Sequence, residues 1–153
     1  MIHHPPIDEE HEKKSHESIK AAFDAGYTLF DLSDVDSDGL VEEVFGRTLK
    51  EVSGMRDRIV IATKCGIREK GDPDKDAPHR YDLSKEHITR SCDASLKRMG
   101  VDCIDLYQLH RPDYLMEQDE IAAAFESLRQ AGKVREFGVS NFSVDQLDHL
   151  QAA

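Results

Sequence analysis

Four short apolar runs in this chain each end on a polar side chain that can take part in chemistry. Tyr27-Thr28-Leu29-Phe30 leads to Asp31, and Arg58-Ile59-Val60-Ile61-Ala62-Thr63 leads to Lys64. Residues 103–109 lead to His110, and Glu136-Phe137-Gly138-Val139 leads to Ser140 and Asn141. Each run is followed by an apolar pattern of helical spacing, so the chain reads as repeated strand-then-helix units. Parallel strands built from such units send their carboxyl ends to one face, where a barrel of this kind places its active site. A carboxylate, an ammonium, an imidazole and a hydroxyl–amide pair are therefore expected to converge.

The strand ends lie 33, 46 and 30 residues apart. A strand with its return helix takes roughly 30 residues. The excess in the middle interval is residues 68–82, rich in Gly, Pro, Asp and Lys, which reads as a long loop on the active face. Ile59-Val60-Ile61 is apolar without alternation, as expected of a parallel strand covered on both sides.

Five helices are expected. The first covers residues 9–25, with Ile19, Ala22 and Phe23 on one face and Gly26 as its C-cap. The second shows Val41, Val44, Phe45, Leu49 and Val52 at helical spacing. The third shows Ile88, Cys92, Leu96 and Met99 between Ser84 and Gly100, and the fourth Ile121, Ala124, Phe125, Leu128 and Ala131 before Gly132. The last begins at Ser143, with Gln146 three residues on as a capping box. No linker divides the pattern, so residues 1–153 read as one domain, with residues 1–8 a disordered leader. Four strands and five helices make an α/β fold of partial (β/α)8 type, because closing such a barrel takes eight units and about 250 residues. The expectation is about half of a barrel, with open sheet edges through which it can self-associate.

Twenty basic against thirty-one acidic residues give a formal charge of −11, which argues against nucleic acid or an anionic membrane as main partner. Hydrophobic residues at 39% and charged residues at 33% fit a soluble globular chain rather than a disordered one. There is no apolar stretch near ~20 residues and no signal-peptide pattern. The three cysteines have no close pair, which fits reduced thiols in a cytoplasm. Cys92 falls on an apolar helix face and reads as core. Cys65, just past a strand end, is the one thiol placed where it could react.

Four strings together resemble the aldo-keto reductases, from the first helix of that family through its fifth. They are Phe30-Asp31-Leu32-Ser33-Asp34-Val35, Ile61-Ala62-Thr63-Lys64-Cys65-Gly66, Asp105-Leu106-Tyr107-Gln108-Leu109-His110-Arg111-Pro112-Asp113, and the stretch at 132–142 that contains Ser140-Asn141-Phe142. The resemblance implies NADPH-dependent reduction of an aldehyde or ketone, with a small carbonyl compound as partner. It implies that Asp31 holds Lys64, that Lys64 would lower the pKa of a proton-donating tyrosine, and that His110 orients the carbonyl. Ser140 and Asn141 match the pair that hydrogen-bonds the nicotinamide carboxamide.

Two departures from the family pattern bear on activity. The tyrosine position, five residues after the carboxylate, is Asp36. An ionised carboxylate cannot donate a proton and repels a growing oxyanion, and losing a positioned general acid costs on the order of 10²–10⁴ in rate. Tyr81 and Tyr114 lie on active-face loops and are the available substitutes. The family's phosphate-gripping strands are also missing, so weak cofactor binding is expected. The alternative is a non-catalytic or truncated relative that keeps the scaffold.

Other features have plainer readings. Asp34-Val35-Asp36-Ser37-Asp38-Gly39 opens like a calcium loop, but its twelfth position is Phe45 where a bidentate glutamate is needed. It reads instead as a solvated acidic turn that caps the next helix, and no metal site is assigned. His3, His4, His11 and His16 lie on a polar leading segment and read as a solvated tract rather than a metal site. Asp102 and Asp105 receive no role.

Overall fold

The computed structural model describes residues 9–152. The disordered leader expected at residues 1–8, with His3 and His4, lies outside the described residues. The helices are α1 (Glu9–Asp24), α2 (Leu40–Glu51), α3 (Lys85–Met99), α4 (Gln118–Gln130) and α5 (Val144–Gln151). The strands are β1 (Leu29–Asp31), β2 (Val60–Cys65), β3 (Ile67–Arg68), β4 (Arg80–Tyr81), β5 (Ile104–Leu109) and β6 (Val134–Val139). The main sheet has the order β1-β2-β5-β6 with every neighbouring pair parallel. That is the expected half barrel, with its strands in sequence order.

Alternation along each strand divides the sheet into two faces. Toward the helices point Phe30, whose ring lies 5.4 Å from that of Phe45, and Tyr107, whose hydroxyl donates to the Ile88 carbonyl at 3.2 Å. Phe137 stacks on Phe125 of α4 at 4.1 Å. Ile61, Cys65, Ile88, Cys92, Met99, Leu109, Ile121 and Leu128 close the same layer, all buried. The opposite face is open, with Leu29 57% and Val60 43% exposed. The core thus lies mainly between sheet and helices.

Helix ends follow their local chemistry. Ser84 accepts from the His87 N–H, and Ser143 with Gln146 forms the capping box in both directions. After α4 the chain turns through Gly132 at φ 69°, and the Lys133 N–H reaches back to the Leu128 carbonyl. This bond satisfies a carbonyl that the helix end leaves free.

Four expectations need correction. Residues 68–82 are not loop throughout: β3 and β4 pair antiparallel at the ends of the segment, and buried Arg68 ties it by ion pairs to Asp72 at 2.8 Å and Asp82 at 2.9 Å. The acidic turn does not cap α2 with a side chain, since its N-cap is Gly39 at φ 84°. Asp105 does have a role: it is 7% exposed, accepts from the Ile61 N–H and pairs with both Arg56 and Arg135. His16 is not simply solvated, because its ring contacts Thr48 at 3.2 Å and Glu51 at 3.3 Å, fastening α1 to α2.

Candidate active site

The parallel ladder continues past the strand ends and sets the heights of the site residues. The Leu32 N–H bonds to the Ala62 carbonyl, Asp34 to Lys64, His110 to Cys65, and Ser140 to Leu109, all between 2.8 and 3.1 Å. Asp31, Lys64 and His110 therefore reach the same end and the same face of the sheet. Lys64 Nζ lies 2.6 Å from Asp31 Oδ1 and donates a second bond to the Leu32 carbonyl at 3.0 Å. The Lys64 side chain is only 13% exposed, so carboxylate and carbonyl hold its ammonium in one place.

His110 joins this pair through two partners. Its Nδ1 lies 3.1 Å from Ser33 Oγ, and its backbone carbonyl accepts from Asn141 Nδ2 at 3.0 Å. Asn141 also donates to Ser140 Oγ at 2.8 Å, from a left-handed backbone at φ 64°. Partial burial lowers the pKa of His110, helped by the Lys64 and Arg111 charges and opposed by Asp36 and Asp31. The ring is thus neutral at pH 7.

Asp36 begins a tight turn (Asp36–Gly39) in which Ser37 and Asp38 have φ of 50° and 55°. Its carboxylate is exposed, and its charge acts on both His110 and Asp34. All six residues singled out in the sequence thus lie at one end of the sheet. The hydrogen bonds join Asp31 to Lys64 and His110 to Asn141 to Ser140, and Asp36 joins them through its charge.

Among the described residues, neither substitute tyrosine hydrogen-bonds to Asp31, Lys64 or His110. The Tyr81 ring stands edge-on to His79 at 5.7 Å, and Tyr114 is 96% exposed beside Asp145 and His149. Cys65 is fully buried on the helix side, where desolvation pushes its thiol far up, so it is not a reactive thiol. Among the described residues no cluster of three or more His, Cys, Asp or Glu side chains could hold a metal ion, and no helix is long and apolar enough to cross a membrane.

Two residues missing from the sequence reading belong here. Gln108 Nε2 donates to Asp31 Oδ1 at 3.4 Å, and Ser33 meets His110. Each lies two positions from a named site residue, hence on the same face by strand alternation. That periodicity was the available signal.

The acid–lysine pair and the histidine of lowered pKa stand at the carboxyl ends of the parallel strands, the face on which barrels of this kind place their active sites. The Aldo/keto reductase family model matches residues 3–153, and the chain belongs to that family. Among curated proteins it is 40% identical over 135 residues to Uncharacterized oxidoreductase YcsN of Bacillus subtilis, covering 88% of this chain and 45% of that one. Among solved structures, a glycerol dehydrogenase from Gluconobacter oxydans superposes with a TM-score of 0.82 at 35% identity, covering 94% of this chain and 43% of the other. An aldo/keto reductase from Klebsiella pneumoniae, solved in complex with NADP and acetate, gives 0.73 at 28% identity over 90% of this chain and 42% of the other. The chain therefore spans less than half the length of the relatives it matches.

Proposed function

We propose that this chain forms the substrate-facing half of an NADPH-dependent reductase of aldehydes or ketones. The observation that supports it most is the Lys64–Asp31 contact at 2.6 Å beside a His110 whose pKa is lowered, all on one sheet end. A buried-stem ammonium and a neutral imidazole can both donate hydrogen bonds to oxygen that gains negative charge. Asp31 and Gln108 keep Lys64 where it can act, and Ser33 and Asn141 keep His110 in place.

The residues present fit the nicotinamide of the cofactor. Asn141 spends its amide donor on His110 and Ser140, which leaves its carbonyl oxygen as an acceptor, and the Ser140 hydroxyl remains able to donate. A carboxamide offers an NH2 donor group and a carbonyl acceptor, which match that acceptor and donor. When bound, the reduced nicotinamide supplies hydride to the carbonyl carbon. The side chains here orient the carbonyl and stabilise its oxygen. A proton donor is what they lack, because Asp36 stands at the tyrosine position.

That substitution favours a second reading, a non-catalytic relative that keeps the scaffold. NADPH fluorescence titration followed by turnover of a reactive aldehyde separates the two. Asp36→Tyr should raise turnover by on the order of 10²–10⁴, since it restores a general acid beside Lys64. Saturable binding without any gain from the tyrosine would defeat the proton-donor argument. Absence of NADPH binding would favour the scaffold reading.

A further inference from the structure

Ser33 is 1% exposed, and its only side-chain hydrogen bond among the described residues is the 3.1 Å contact to His110 Nδ1. A neutral imidazole carries its proton on one nitrogen and a lone pair on the other, so this contact has two possible senses. If Nδ1–H donated to Ser33 Oγ, the serine's own hydrogen would be buried with no acceptor. If instead Oγ–H donates to the Nδ1 lone pair, both groups are satisfied at once. An unmade buried donor is the costlier arrangement, so the second sense prevails.

We propose that Ser33 is a positioning residue that donates to His110 Nδ1 and thereby fixes the imidazole as its Nε2–H tautomer, a hydrogen-bond donor aimed away from Ser33 into the open face. The backbone supports this arrangement from both sides. Ser33 lies between Leu32 and Asp34, whose N–H groups are anchored on the Ala62 and Lys64 carbonyls, and His110 is anchored by its own N–H on Cys65. Asn141 holds the His110 carbonyl at 3.0 Å, so the ring has a fixed base to turn on. Its neutrality at pH 7 is what gives the tautomer meaning, because an imidazolium would donate from both nitrogens. The functional consequence rests on the reductase reading above: with Asp36 at the tyrosine position, Nε2–H is the neutral donor left to polarise a carbonyl oxygen.

The test is a long-range proton–nitrogen NMR spectrum of the full chain without cofactor, taken above the pKa of His110. The wild type should show a protonated Nε2 and a bare Nδ1, with widely separated nitrogen resonances. In Ser33→Ala the two resonances should move toward each other as both tautomers populate, and Ser33→Thr, which keeps the hydroxyl, should restore the separation. A protonated Nδ1 in the wild type would overturn the proposal, and so would a Ser33→Ala spectrum unchanged at His110. Because neither readout involves NADPH, it stands or falls apart from the reductase reading. Where turnover is measurable, Ser33→Ala should lower kcat roughly two- to tenfold, the range of one neutral hydrogen bond, with KM for NADPH unchanged.

Discussion

Asp34 is the residue through which pH should act most directly on stability. Its Oδ1 is buried without a hydrogen-bond partner among the described residues. Burial first, and then the neighbouring Glu42 carboxylate, raise its pKa from 3.8 to about 7, while Arg98 pulls the other way. A carboxyl that ionises less readily folded than unfolded contributes stability that is complete below its unfolded pKa and lost as pH rises through the folded value. The interval from 3.8 to about 7 is close to three pH units, which at 1.36 kcal/mol per unit amounts to about 4 kcal/mol. Asp34→Asn imitates the protonated form at every pH. The variant should therefore be more stable than wild type at alkaline pH, by about 4 kcal/mol at most. Between about pH 5 and 8.5 the difference in unfolding free energy should widen by about 2–3 kcal/mol, read from urea titrations at each pH. His87 and His110 act in the opposite sense. Burial lowers both pKa values, so their contribution is lost as pH falls through the unfolded histidine range, but it cancels between variant and wild type. A gap that stays constant with pH, or an asparagine variant less stable at pH 8.5, would refute the reasoning.

Arg98→Met should cost roughly 3–5 kcal/mol in urea unfolding, because it strands the fully buried Glu42, to which Arg98 Nε is bonded at 2.7 Å. Gly46→Ala should lower the melting temperature, since its Cβ would come within 2.5 Å of the Met99 carbonyl oxygen, a backbone atom that cannot rotate away. The open face, with Leu29 and Val60 exposed between the edge strands β1 and β6, should drive concentration-dependent association. A single monomeric species across a wide concentration range in sedimentation would count against that.

The strand ends were legible because period and chemistry coincide there. An apolar run that stops at Lys64 or His110 marks both the strand's direction and its exposed tip. Ser84, Gly100, Ser143 and Gln146 marked helix ends through chemistry that acts within four residues. What the sequence concealed depends on partners far along the chain. Asp105 looked idle because Arg56 and Arg135, 49 and 30 residues away, neutralise it only in three dimensions. The hairpin of β3 and β4 was hidden in a Gly- and Pro-rich stretch that propensity assigns to loop, and the two ion pairs of Arg68 hold it. Cys65, read as just past a strand end where a thiol could react, lies within β2, and alternation turns it into the core.

The electrostatics of the site turn on position 36. One ammonium, Lys64, is in direct contact with the Asp31 carboxylate, and the Asp36 carboxylate acts through space on His110, which is neutral at pH 7. Such a cluster has spare negative charge before any substrate arrives, and a carbonyl oxygen gaining charge would meet repulsion from Asp36 instead of a proton. A tyrosine at that position would leave Lys64 and Asp31 balanced and add a donor. The Lys64–Asp31 bond and the Ser33–His110–Asn141 chain are made by other residues, so they should survive the exchange. A gain of activity from Asp36→Tyr would then mean that the rest of the site is already arranged for reduction. Failure to gain, with NADPH bound, would mean that these same contacts serve the scaffold alone.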